Sequence, residues 1–281
     1  MTASKDDWEE DWEYEDSPDV PEGDFHAGPE QRRGLAVGFL AMLPLFIAYE
    51  FAQHAGAGVG RRNAAEMVLL RWIEPLDPGL DIARPVLLAV GALAALVVCF
   101  RCRVALGPSI LRVVVEGVVL ALVLGPALVV GSRLGGTAVD DLRGMTRVGE
   151  GVPELTGMAH VFGGSAYEEL LFRVLGYSLC FLIGRTLVRA LRGGAGVSRW
   201  SGELLGAVGS SLLFAAFHLE LATGWLGQGG EAFHAEAFIW RFLAGLAFAL
   251  TFRWRGPGVA AWGHGLFNAW LLMGADPATL L

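Results

Sequence analysis

Long apolar runs constrain this chain more than any other feature of its sequence. A helix needs about 20 mostly apolar residues to cross the hydrocarbon of a bilayer. Lipid offers the backbone no hydrogen-bond partners, so a spanning segment must satisfy itself, as a helix does. Seven stretches reach or approach that length, at roughly 35–53, 84–100, 112–132, 157–183, 202–220, 237–253 and 257–274. The stretch 64–73 reads as an interfacial helix, and an eighth span could lie there or inside the long fourth segment. The expected fold is therefore all-α, a polytopic transmembrane bundle of about seven to eight helices. Composition agrees: 54% of residues are hydrophobic and only 18% charged, against about 25% charged in an ordinary soluble domain.

The charge is unevenly spread. Residues 1–30 hold twelve acidic side chains opposed only by Lys5, whereas the rest holds twenty arginines and seventeen acids. Residues 1–31 are expected to be a disordered acidic tail, because so charged a segment cannot bury enough apolar surface to offset its ordering entropy. Trp8, Trp12 and Tyr14 interrupt the acids and leave room for a docking partner. An acidic start does not suit a secretory signal peptide. Residues 32–281 are expected to form one membrane domain, mildly basic as suits anionic lipid head groups, and nothing points to nucleic acid. Arginines favour cytoplasmic loops. An N-in arrangement places eleven of them inside and seven outside. The arginine-over-lysine bias suggests a GC-rich bacterial genome, and hence a bacterial inner membrane.

Ionisable side chains within spans are costly and each requires a reason. The first group is Glu168-Glu169-Leu170-Leu171-Phe172-Arg173. Glu169 and Arg173 are four residues apart and share a helical face, where they can neutralise one another. Glu168 points about 100° away and lacks that partner. On these residues alone, a buried structural network and an available carboxylate both remain open. The second group is Phe214-Ala215-Ala216-Phe217-His218, whose histidine falls near a helix end. In the third, His264-Gly265-Leu266-Phe267-Asn268, an imidazole and an amide face the same way, and Gly263 and Gly265 permit close helix approach. A carboxylate, two imidazoles and an amide on three helices suit hydrolysis, with a general base and donors for a developing oxyanion.

Rival inventories do not assemble. There is no HExxH zinc helix. Cys99 and Cys102 form one CxxC, but Cys180 stands alone, short of a four-ligand set. No metal or cofactor is expected. Ser165 lacks a nucleophile-elbow context, and Asp140 and Asp141 lie in a loop.

The three groups, in order, resemble the motifs EExxxR, FxxxH and HxxxN of the CAAX-protease and bacteriocin-processing (CPBP, or Abi) family of intramembrane glutamic endopeptidases. The resemblance covers roughly 155–275. It implies Glu168 as the water-activating base with His218 in support, His264 and Asn268 as the oxyanion site, and Glu169 with Arg173 as structural support. It implies a membrane-associated or lipid-modified protein substrate, and C-terminal sorting or processing is within the family's range. Two other classes compete: a non-catalytic scaffold or immunity protein of the same fold, and a proton-coupled transporter, for which inverted repeats would be the sign.

Overall fold

The computed structural model describes residues 29–55, 62–71, 80–134, 154–227 and 230–272. The regular elements among them are all helical: α1 (Pro29–Ala55), α2 (Ala64–Leu70), α3 (Leu80–Arg101), α4 (Leu106–Leu134), α5 (Glu154–Glu169), α6 (Ser178–Ala190), α7 (Ala195–Ala216), α8 (Glu220–Thr223), α9 (Ala235–Arg255) and α10 (Pro257–Leu272). A π-helical stretch, Leu170–Tyr177, joins α5 to α6, and a short 3-10 turn, Gly224–Leu226, follows α8. The acidic tail and the Asp140-Asp141 loop lie outside the described residues.

Apolar side chains face outward over much of this bundle. On α3, Ile82, Val90, Leu93 and Phe100 are exposed, and on α4 Leu111, Leu122 and Val123 are exposed. A contiguous surface of this kind would be a liability in water and is what a lipid-facing helix needs. The central helix is α1, where Ala41, Met42, Leu45, Phe46, Tyr49 and Ala52 are fully buried. α3, α4, α5 and α10 pack around it. The chain is a multi-pass membrane protein.

Among the described residues, five stretches are long and apolar enough to cross a membrane: Arg33–His54, Ile82–Arg101, Leu106–Ala127, Thr156–Ala190 and Ala235–Arg255. The segments expected at 202–220 and 257–274 also form helices, α7 and α10, but neither is among the five. α10 has 16 residues, short of the span length. α7 carries Ser, Gly, Arg199 and Glu203 along its first half, and it stops at Ala216, before His218. The described part of the 64–73 stretch is the seven-residue helix α2 followed by its C-cap, Arg71.

Two local devices position the site. Gly256 takes φ +87° between α9 and α10, a conformation open to glycine, and lets the chain reverse within a residue of Arg255. The π-helical stretch begins directly after Glu169. Such wide turns are rare and recur where function interrupts a regular helix.

Candidate active site

The centre of the site is one imidazole between two carboxylates. His264 Nδ1 lies 2.9 Å from Glu169 Oε1, and Nε2 lies 3.6 Å from Glu168 Oε2. The two glutamates meet opposite edges of the ring, so the three side chains do not converge on a common point. Among the described residues, no group of three or more His, Cys, Asp or Glu side chains is arranged to hold a metal ion.

The glutamates differ in their surroundings, as their helical phase requires. Glu169 is fully buried, and its Oε2 faces Arg173 Nε at 3.4 Å. Arg173 is itself buried; its Nη2 reaches the Gly245 carbonyl at 3.3 Å, and its guanidinium sits 4.8 Å above the Phe214 ring. The i,i+4 pair expected from the sequence is present. It also carries a contact the spacing did not suggest, since Glu169 orients His264. Glu168 is only half-buried. Its Oε1 accepts a hydrogen bond from Asn63 Nδ2 at 2.8 Å, which leaves Oε2 toward His264.

α10 reaches α5 because glycine removes the obstacle. A Cβ on Gly265 would fall 2.8 Å from Phe162 Cδ2 and from Ser165 Oγ, and one on Gly263 2.5 Å from Leu120 Cδ2. Both flanks of His264 are therefore closely packed, against α5 and α4. The ring stacks on Phe248 at 4.6 Å and meets the edge of Phe214 at 5.5 Å. The Ser165 hydroxyl donates to helix carbonyls at Phe162 and Ala261, a structural use. Asn268 lies one turn beyond His264 on α10, half-buried.

His218 lies two residues past the end of α7. Its Nδ1 is 2.9 Å from the Phe214 carbonyl. A carbonyl can only accept, so Nδ1 carries a proton, and in the neutral ring Nε2 is left as the acceptor. The His218 ring packs on Phe214 at 4.9 Å, so both histidines share that phenyl ring. Its backbone is held as well: the Glu231 amide donates to the His218 carbonyl at 3.0 Å, and Arg241 grips both Glu231 carboxylate oxygens at 2.7 Å. The structure thus joins Glu168, Glu169, Arg173 and His264 through direct contacts, sets His218 beside them through Phe214, and keeps Asn268 on the His264 helix.

Asn63 was not singled out by the sequence reading, nor was the buried cluster behind it. Tyr49 Oη donates to Glu66 Oε2 at 2.5 Å, Arg84 Nη1 donates to Glu66 Oε1 at 2.8 Å, and Arg84 Nη2 lies 3.3 Å from Glu50 Oε2. A signal existed. Asn63 followed three residues later by Glu66 has the spacing of a helix N-terminal box, although Glu66 turns to Tyr49 and Arg84.

A multi-pass helical protein with a buried carboxylate–histidine centre is the class these features define. Within it, residues 153–270 match the family model for the Rce1-like type II CAAX prenyl endopeptidases, in line with the family that the three motifs resemble. The match covers less than half of the chain, from the start of α5 almost to the end of α10, and the family implies a peptidase. Comparison with curated proteins and with solved structures gives no match.

Proposed function

We propose that this chain is an intramembrane endopeptidase that hydrolyses a peptide bond in a membrane-associated or lipid-modified protein, using water activated by Glu168. The observation that carries this reading is the asymmetry of the glutamates around His264. Glu169 is buried and engaged by Arg173 and His264 Nδ1, whereas Glu168 is partly accessible and presents Oε2 at 3.6 Å from His264 Nε2. That separation is too long for a direct hydrogen bond and is one a water can bridge.

In the proposed reaction, Glu168 takes a proton from the water as its oxygen bonds to the scissile carbonyl carbon. Negative charge moves onto the carbonyl oxygen, where Asn268 Nδ2 and the His264 ring supply donors. Glu169 supports His264 in that role by accepting from Nδ1. The proton held by Glu168 then passes to the departing amide nitrogen as the carbon–nitrogen bond breaks. His218, with Nδ1 committed to the Phe214 carbonyl, offers Nε2 to orient the water. C-terminal sorting or processing is the form of substrate use we favour, in a bacterial inner membrane with the N-terminus inside.

Glu168→Gln tests this reading, because it keeps shape and hydrogen bonding while removing the basic oxygen. With an internally quenched farnesylated CAAX peptide and with the proteins of a host membrane as substrates, turnover is expected to fall by about 10²–10⁴ with the melting temperature unchanged. Near-normal turnover in Glu168→Gln would refute it. A wild-type chain that cuts neither substrate would favour a scaffold of the same fold.

A further inference from the structure

Glu168 is anchored by a residue that lies outside the family-matched segment. The Asn63 side chain has an acceptor and a donor end, and both are committed. Oδ1 accepts from the Ala65 amide at 2.8 Å as the N-cap of α2, and Nδ2 donates to Glu168 Oε1 at 2.8 Å. Turning the amide over would set N–H against N–H and oxygen against carboxylate, so its orientation follows from its partners. The Asn63 backbone is fixed too. Its amide donates to the Tyr49 hydroxyl at 2.7 Å, and that hydroxyl donates to Glu66 Oε2 at 2.5 Å. Glu66 is fully buried against Arg84, which arrives from α3. A continuous set of polar contacts thus runs from α3 through α2 and α1 to one oxygen of Glu168. On the α5 side, a Cβ on Gly164 would lie 2.8 Å from Asn63 Nδ2. Glycine at this position, one turn before Glu168, makes room for the amide.

We propose that Asn63 is a positioning residue for the Glu168 carboxylate. It holds Oε1, so that Oε2 is the oxygen turned to His264 and to the reacting water, and helices α1 to α3 thereby complete the site. This rests on the reading of Glu168 as the base. A carboxylate held at neither oxygen rotates about its last bond. A charge-assisted bond from a fixed donor removes that freedom and keeps the accepting lone pairs in one direction.

The test uses the full chain in lipid nanodiscs. Asn63→Ser and Asn63→Asp retain a capping oxygen and lose the amide donor, while Gly164→Ala keeps Asn63 and displaces its amide. The first readout needs no substrate: the infrared carboxylate band of Glu168, assigned as the one lost in Glu168→Gln. The second is cleavage of the quenched farnesylated CAAX peptide. The band is expected to move in Asn63→Ser and Gly164→Ala. The kcat is expected to fall about 10–100-fold, as for a lost hydrogen bond to a charged group, with KM and the melting temperature of Asn63→Ser little changed. An unmoved band would overturn the proposal, as would loss of activity only in step with loss of stability. The two readings fail separately: an active Glu168→Gln removes the base, whereas an inactive Glu168→Gln beside an unaffected Asn63→Ser removes only the role of Asn63.

Discussion

Glu169→Gln places a demand on Arg173 that the surrounding structure can only partly meet. The guanidinium has no exposure and faces Glu169 Oε2 at 3.4 Å. Its Nε and Nη1 have no hydrogen-bond partner, and neither does Glu169 Oε2, so charge rather than hydrogen-bond geometry ties the pair. Breaking a buried pair by neutralising one member costs about 3–5 kcal/mol. The low end applies here, because the Gly245 carbonyl at 3.3 Å and the Phe214 face at 4.8 Å still receive the cation. A loss of about 3 kcal/mol in a chain of this size corresponds to roughly 6–12 °C in melting temperature. Glutamine at 169 can still accept from His264 Nδ1, so activity should fall less than in Glu168→Gln. Glu169→Gln with Arg173→Met leaves no lone charge and should recover part of the loss, giving a measurable coupling in the double-mutant cycle. The chain's nine tryptophans supply an intrinsic fluorescence signal for thermal unfolding in detergent. A Glu169→Gln protein as stable as wild type, or a double variant no more stable than the single one, would refute the electrostatic account. A folded, inactive Glu169→Gln beside an active Glu168→Gln would exchange the roles of the two glutamates.

Two further perturbations address the approach of helices and the chemistry. Gly265→Ala drives a Cβ to within 2.8 Å of Phe162 and Ser165; such overpacking typically costs about 1–3 kcal/mol. It should push α10 from α5 and lower kcat together with melting temperature, and a fully active, fully stable variant would show that the contact is slack. Exhaustive chelation should leave turnover intact, whereas loss of activity restored by stoichiometric zinc would recast the histidines as ligands.

Much of this arrangement is legible in the sequence because hydrocarbon punishes polarity. Charge inside an apolar run must have a partner, so Glu169 and Arg173 announce one another four residues apart, and Glu168 stands out for lacking the same relation. The glycines beside His264 likewise announce close approach. What hydropathy could not separate was crossing from packing. The helices α7 and α10 bury Ala207, Phe214, Ala260 and Ala261 against neighbours, so part of their apolar character serves packing. Asn63 was hidden for a different reason. It sits in a connection, carries no charge, and gains its meaning only when α2 folds back over Gly164. The π-helical stretch after Glu169 was equally hidden, since periodicity over eight residues does not distinguish it from an α-helix.

The side chains around Glu168 are set where regular helix stops or widens. Asn63 is the N-cap of α2, His218 lies past the end of α7, and Glu168 and Glu169 stand immediately before the π-helical stretch. Helix interiors commit their backbone groups to one another, whereas ends leave them unpaired. At such places a side chain can be fixed by backbone, as the Phe214 carbonyl fixes His218 and the Ala65 amide fixes Asn63. His264 is the exception, within α10, and it is fixed by Glu169, Phe248 and Phe214 instead.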